Sequence, residues 1–225
     1  DDGKPHQGVF DVAFTRIPPG IAVAAPKDEN ELQHMLFTAI YSGRPFALRY
    51  PRGLGTGAAL DPEPHELEIG CPELLRGGAD LLLLPYGSMV APALEAAEHL
   101  AATGLSCAVV NPRFAKPLSA LALLRLAPDI SRWLTIEEHT LTAGFGAAVL
   151  EAASAEDLTV TVRCHGIRDR FVEHAPQALQ RRLHGLDAEG IIAAAYAAFP
   201  GLVAAPSSAT PKATPVCAPE KITWQ

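Results

Sequence analysis

A basic stripe, an apolar run of membrane length, paired cysteines and a complete nucleotide-binding fingerprint are all missing from these 225 residues. Each absence removes a class of function. Lysine and arginine number 18 against 25 aspartates and glutamates, a net charge of −7. No surface of concentrated positive charge is expected, and nucleic acid is ruled out as the main partner. No window reaches the roughly 18 uninterrupted apolar residues of a membrane span, so no membrane association is expected. Cys71, Cys107, Cys164 and Cys217 are scattered without a CxxC pair, which argues against a zinc site. They read as buried free thiols of a cytosolic protein, with Cys107 and Cys164 in strand-like runs. PYGSMV and TAGFGAAV are glycine-bearing turns, yet neither spells GxGxxG, and close backbone packing is their better reading. No Ser-His-Asp or Cys-His constellation stands out. An initiator methionine is lacking too. The chain opens DDGKPHQGVFD and reads as entered partway through a domain.

What is present is a large apolar fraction, 48% against 19% charged, enough for a sizeable core in one large domain or one and a half small ones. IAVAAP (21–26) reads as a strand stopped by proline. Asp28 then caps a helix with Glu31 at capping-box spacing. Leu32, Met35, Leu36, Ala39 and Ile40 form its expected buried face, and Gly43 ends it. FALRYP (46–51) is the next strand, so a parallel pairing is expected. Residues 54–78 turn rich in glycine, proline and acid and read as a linker, with a short strand at LEIG (67–70). Alternation then resumes. DLLLLPYG (80–87) is a strand, Ser88 caps a helix to Thr103, SCAVVN (106–111) is a strand, and Ser119 caps a helix to about Ala127. RWLTIEE (132–138), GFGAAVLEAA and LTVTVRCHG (158–166) read as strand, helix and strand, and helices at 176–184 and 187–199 follow. Repeated strand–helix units imply an α/β fold with a mainly parallel sheet. Residues 201–225, mostly Ala, Pro, Ser and Thr, read as a disordered tail.

Four places hold candidate chemistry. His6, in a glycine-flanked loop, suits proton transfer or a hydrogen bond to a substrate oxygen, with Asp2 placed to orient it. The competing reading is a histidine that holds its own turn, and composition alone favours that one. RYPRG puts Arg49 and Arg52 at the C-terminal end of a predicted parallel strand, where ligands collect in open α/β sheets. Arginine there suits a phosphate or carboxylate, although solvated surface charge is the ordinary alternative. EEH (137–139) is either a site or a polar strand end. In DRFVEH (169–174), Asp169 and His174 are spaced for neither a helical face nor a metal pair. The residues alone lead to an acidic α/β chain with an anion site near Arg52.

Taken in order, DG-x-x-HQGVFD, PKDENEL, RYPRG, NPRFAKPL, TIEEHTLTAGFGAAV, GIRDRFVEH and GLDAEGI closely resemble the C-terminal part of the 1-deoxy-D-xylulose-5-phosphate synthase family. These are thiamin-diphosphate enzymes related to transketolase. The resemblance runs from residue 1 to about 200. It implies the C-terminal part of a pyrimidine-binding transketolase domain at 1–53, a linker at 54–78 and a transketolase C-terminal domain at 79–200. It further implies that Asp2 and His6 are catalytic residues on the substrate side of the thiazolium ring, and that Arg52 holds the phosphate of glyceraldehyde 3-phosphate. The ligands of the thiamin diphosphate and Mg2+ would lie upstream, outside this chain. One departure is Pro5, where the family has threonine, since proline removes a backbone N–H and narrows φ.

The reaction implied joins pyruvate to glyceraldehyde 3-phosphate with loss of carbon dioxide, toward isoprenoids, thiamin and pyridoxal. A homodimer is implied, in a bacterial-type cytoplasm with a plastid left open. The N-terminal portion of the enzyme is the implied partner, without which residues 1–225 would be inactive. Two rivals share the architecture, the beta subunit of a 2-oxo-acid dehydrogenase and a non-catalytic dimerisation module. RYPRG and HQGVFD favour the synthase, because a phosphorylated aldehyde needs an arginine that an acyl-lipoyl acceptor does not.

Overall fold

Four consecutive leucines set the centre of the fold. Leu81 to Leu84 are fully buried in strand β4 (Leu81–Pro85), as expected of a parallel strand covered on both faces. The structure is a computed structural model and describes residues 7–202. Asp2 and His6 therefore lie outside the described residues, as does most of the expected tail.

The chain begins with α1 (Asp11–Arg16), β1 (Ala22–Ala24), α2 (Glu29–Tyr41) and β2 (Phe46–Leu48). Strands β1 and β2 pair in parallel, Ala22 opposite Phe46. Then follow β3 (Glu73–Arg76), β4 (Leu81–Pro85), α3 (Val90–Ala102), β5 (Cys107–Asn111), β6 (Phe114–Lys116) and α4 (Ala120–Leu126). The last elements are β7 (Arg132–Thr140), α5 (Phe145–Ala155), β8 (Thr161–Ile167), α6 (Gln177–Leu183) and α7 (Ala188–Ala198). A five-stranded sheet runs in the order β3-β5-β4-β7-β8, parallel except for β3. The expected α/β class is thus present. Helices α3 and α7 pack through Ala93, Ala97, Leu100, Ile191 and Ala195 into one core. Helices α4 and α5 pack through Leu123, Phe145 and Val149 into another.

Several expectations need correction. The short strand lies at Glu73–Arg76 rather than 67–70, and it is held by antiparallel pairing with β5. Helix α2 starts as read, since Asp28 Oδ1 accepts the Glu31 N–H at 2.8 Å, but it is turned differently. Glu31, His34, Met35 and Thr38 face inward, while Leu36 and Ile40 are 46% and 75% exposed. The inward polar groups are satisfied, which offsets the cost of burying them. Glu31 accepts hydrogen bonds from Asn111 Nδ2 and Arg113 Nε. His34 Nδ1 accepts the His65 N–H at 3.1 Å, and Thr38 Oγ1 accepts the Leu67 N–H at 2.8 Å. The polar stripe of α2 therefore straps the connecting segment along the helix.

Ser119 caps α4, accepting the Ala122 N–H at 3.2 Å. Ser88 does not cap α3. It lies in a 3-10 turn, and its hydroxyl donates to Glu138 Oε1 at 2.7 Å. Cys107 and Cys164 are free, whereas Cys71 is disulfide-bonded, against the reading of four free thiols. Among the described residues no helix is long and apolar enough to cross a membrane.

The NPRFAKPL segment joins the two halves. Its strand β6 pairs antiparallel with β1, giving a three-stranded sheet β2-β1-β6. Lys116 Nζ donates to the carbonyls of Arg16 and Pro18 at 2.8 and 2.6 Å. Val12, Val23 and Ala25 then share one core with Leu82, Val110 and Trp133. A shared sheet and a shared core fix the angle between the halves, and a cleft between them is therefore defined.

Candidate functional site

Successive side chains of a strand point to opposite faces, and at the end of β7 this gives Glu137, Glu138 and His139 three different tasks. Glu137 is fully buried. Its carboxylate accepts the N–H groups of Phe145 at 2.7 Å and Gly146 at 2.8 Å, the first turn of α5. Glycine is required here for space. A Cβ on Gly144 would sit 2.2 Å from the Thr140 carbonyl, and one on Gly146 would sit 2.7 Å from Cys164 Sγ. Burial pushes the Glu137 carboxyl up to about 7, against the opposing pull of the Gly146 and Phe145 N–H groups.

His139 faces the other half of the chain. Its Nε2 accepts the Val12 N–H at 2.9 Å, and Nδ1 lies 3.2 Å from the Thr140 carbonyl. These partners place the proton on Nδ1, and burial lowers the imidazole to about 4. Beside it the Thr140 N–H donates to the Val9 carbonyl at 2.9 Å. Arg16 NH1 donates to the carbonyls of Ala143 and Gly144, both at 2.9 Å. His139 thus pins α1 to β7 as a structural acceptor.

These two groups titrate with opposite effects on stability. Between about pH 4.5 and 7 the folded chain keeps a proton on Glu137 that the unfolded chain releases, so this contribution falls as pH rises. Between about pH 4 and 6.5 the unfolded chain takes up a proton that folded His139 refuses, so that contribution falls as pH drops. Glu137→Gln removes only the first. Compared with wild type in urea titrations, the variant is expected to gain on the order of 2 kcal/mol between pH 5 and 8. Parallel stability profiles for the two proteins would contradict this.

Glu138 lies between the halves at the mouth of a cleft. Its Oε1 accepts from Arg49 NH1 at 3.0 Å and from Ser88 Oγ. Its Oε2 accepts from Arg181 Nε and NH2 at 3.2 and 3.0 Å. Burial opposes its ionisation, but Arg49 and Arg181 outweigh burial and hold the carboxyl below the ordinary range. The cleft is a cavity of about 270 Å³ whose wall includes Gln7, Arg49, Arg52, Glu138, His174 and Arg181. It opens beyond the C-terminal ends of β2 and β8, reaching Ile167. Ligands bind at such strand ends in parallel sheets. Among the described residues its wall includes Arg49, Arg52 and Arg181 beside Glu138, and arginine suits an anion.

Arg52 is therefore in the cavity wall, while Arg49 of the same motif is committed to Glu138. Gln7, the neighbour of His6, accepts at Oε1 from Gln180 Nε2 at 2.9 Å, which ties that segment to α6. His174 lines the cavity, whereas Asp169 is exposed and is not in its wall. Arg181 had no place in the sequence reading, because nothing local distinguishes it from Arg182. A second cavity of about 310 Å³ lies across the 51–56 segment and includes Lys27, Tyr50, Ser88 and again Arg181.

Among the described residues one group has metal-ligand geometry, His34, Asp61 and His65, and it lines neither cavity. Since His34 Nδ1 accepts a backbone N–H, its Nε2 carries the proton and faces Asp61 Oδ2 at 2.9 Å. At the cleft, the carboxylate among the described lining residues, Glu138, is taken up by Arg49, Arg181 and Ser88, so the described residues offer no fit for a diphosphate-bound Mg2+ there.

Comparison with known proteins places this geometry. The profile of the transketolase C-terminal domain matches residues 70–191, and that of the transketolase pyrimidine binding domain matches residues 1–56. A 1-deoxy-D-xylulose-5-phosphate synthase of Thermosynechococcus vestitus is 54% identical over 176 residues, 77% of this chain and 28% of that protein. The synthase of Syntrophus aciditrophicus is 49% identical over 195 residues, 86% of this chain and 30% of that protein. The chain thus spans about 30% of the length of these relatives. Among solved structures, a split-gene transketolase described as an inactive β4 tetramer matches with a TM-score of 0.79 and 32% identity, over 88% of this chain and 64% of that one.

Proposed function

Because this chain belongs to the transketolase family, we propose that it is the C-terminal part of a 1-deoxy-D-xylulose-5-phosphate synthase. In this reading it works with an N-terminal portion to join pyruvate to glyceraldehyde 3-phosphate with loss of carbon dioxide. The observation that carries it is Arg52 in the wall of an arginine-rich cleft at the strand ends. A phosphate monoester, with a charge of about −1.5 to −2, is a ligand that arginine binds in bidentate fashion. Relatives of 49% and 54% identity that bear the synthase name support the same assignment.

Thiamin diphosphate, when bound, supplies the carbanion chemistry. Its diphosphate and Mg2+ ligands come from outside this chain. The chain contributes Asp2 and His6 on the substrate side, where His6 donates a hydrogen bond to the reacting oxygen or moves its proton. Arg52 orients the acceptor through its phosphate, so that the aldehyde carbon is presented to the reacting centre. The working enzyme is a homodimer in the cytoplasm.

This chain alone is expected to be inactive, and the inactive β4 tetramer of the split-gene transketolase supports that expectation. The test adds the separately produced N-terminal portion of a related synthase with cofactor, Mg2+ and pyruvate. Carbon dioxide release that needs both portions and glyceraldehyde 3-phosphate is expected. Release driven by a lipoyl acceptor would favour the dehydrogenase reading, and silence of a well-folded complex would favour a non-catalytic module.

A further inference from the structure

Arg52 rides on a segment that packing does not hold. Residues 52–57 are exposed, Leu54 fully so. Upstream, the chain is pinned at Arg49, whose N–H donates to the Ala24 carbonyl and whose guanidinium donates to Glu138. Downstream, among the described residues, the hydrogen bonds made by residues 53–57 all end on one side chain, the Glu29 carboxylate. Its Oε2 accepts from Thr56 Oγ1 and its Oε1 from the Gly57 N–H, both at 2.7 Å.

The loop is shaped to this carboxylate. A Cβ on Gly55 would overlap it, and Gly57 takes φ +81°, a conformation that glycine adopts without strain. The bonds from Thr56 and Gly57 draw the Glu29 carboxyl down to about 2, so it is ionised throughout the neutral range. Glu29 itself is fixed in the first turn of α2, next to the Asp28 cap. The motifs PKDENEL and RYPRG, apart in sequence, thus meet at one clasp.

The clasped segment is also a partition. Pro51 stands in the wall of both cavities and Arg52 in that of the cleft. Gly53, Leu54, Gly55 and Thr56 stand with Glu29 in the wall of the second cavity. A wall with open space on each side has few packing contacts, so the bonds at its ends set its course.

We infer that Glu29 is a positioning residue, which holds the 53–57 segment and through it sets where Arg52 meets the acceptor. The inference rests on the proposed function and deepens it. Glu29 would not touch the acceptor, and its effect would pass through Arg52 alone.

Two measurements test it. In the full 225-residue chain, amide exchange across 53–57 should quicken about tenfold or more in Glu29→Ala, with β4 unchanged. Thr56→Val, which removes one bond from the loop side, should act in the same direction and leaves α2 untouched. The second measurement uses the enzyme recombined with the N-terminal portion. There Glu29→Ala should lower the preference for glyceraldehyde 3-phosphate over glyceraldehyde, as a ratio of kcat/KM, about tenfold. A misplacement of about 1 Å can cost as much as about 100-fold. The loss should lie in KM for the phosphorylated acceptor, and Glu29→Gln, which keeps one acceptor oxygen, should fall between. In an Arg52→Ala background the same substitution should add less than about twofold, because nothing is left to position.

An equal loss with both acceptors, or the same loss with and without Arg52, would overturn the inference and leave the proposed function standing. Unchanged exchange across 53–57 in Glu29→Ala and Thr56→Val would do the same. A recombined wild-type enzyme that makes no product from either acceptor would overturn the proposed function, and the positioning role with it.

Discussion

Arg52→Ala is expected to lower kcat/KM for glyceraldehyde 3-phosphate by about 10- to 100-fold in the recombined enzyme, with the KM for pyruvate little changed. A hydrogen bond to a charged group contributes about 1.5–3 kcal/mol, and each 1.4 kcal/mol is about a factor of ten. The loss should vanish when unphosphorylated glyceraldehyde is the acceptor, because that molecule never used the arginine. Arg52 is exposed, so the melting temperature should hardly move. Steady-state kinetics with the two acceptors checks this. An equal loss with both would mean that Arg52 shapes the loop instead of binding the phosphate.

Glu138→Ala is expected to produce the largest loss of stability of any single change at the joint. The carboxylate takes hydrogen bonds from Arg49, Arg181 and Ser88, and its side chain is 11% exposed. Removing it leaves two guanidiniums facing each other with no counter-charge in a half-closed cleft. Breaking a buried ion pair by deleting one partner costs about 3–5 kcal/mol. For a chain of this size that lowers the melting temperature by roughly 6–20 °C. Thermal melts followed by circular dichroism measure the loss. Arg49 belongs to the pyrimidine half and Arg181 to the C-terminal half, so proteolysis in the 54–70 segment should rise in parallel. An unchanged melt would show that the cluster contributes little and that the shared core holds the halves alone.

Local signals carried much of the fold. The leucine run of β4, the Asp28 and Ser119 caps and the repeated strand–helix units each depend on neighbours in sequence. The features that escaped depend on partners far away. Helix α2 carries an apolar stripe at helical spacing, yet its buried face includes Glu31, His34 and Thr38. Their partners are Asn111, Arg113, His65 and Leu67. No periodicity reports a partner 29 to 82 residues away.

The candidate site divides in the same way. RYPRG was readable as an anion motif near Arg52 because of its place after a strand, but the commitment of Arg49 was not. Glu138 claims Arg49, and only the fold shows it. EEH was ambiguous because strand alternation sends three adjacent side chains to a helix cap, a salt-bridge cluster and a backbone N–H. Asp2 and His6 rest on the ordered series of motifs that begins with HQGVFD.

The central claim is tested most directly by the product that the two recombined portions make from 13C-labelled pyruvate and glyceraldehyde 3-phosphate, read by NMR. The account predicts labelled 1-deoxy-D-xylulose 5-phosphate, formed only when this chain is present and sharply reduced by Arg52→Ala. Formation of acetate or an acyl-lipoyl product in its place, or no labelled product from a folded complex, would contradict it.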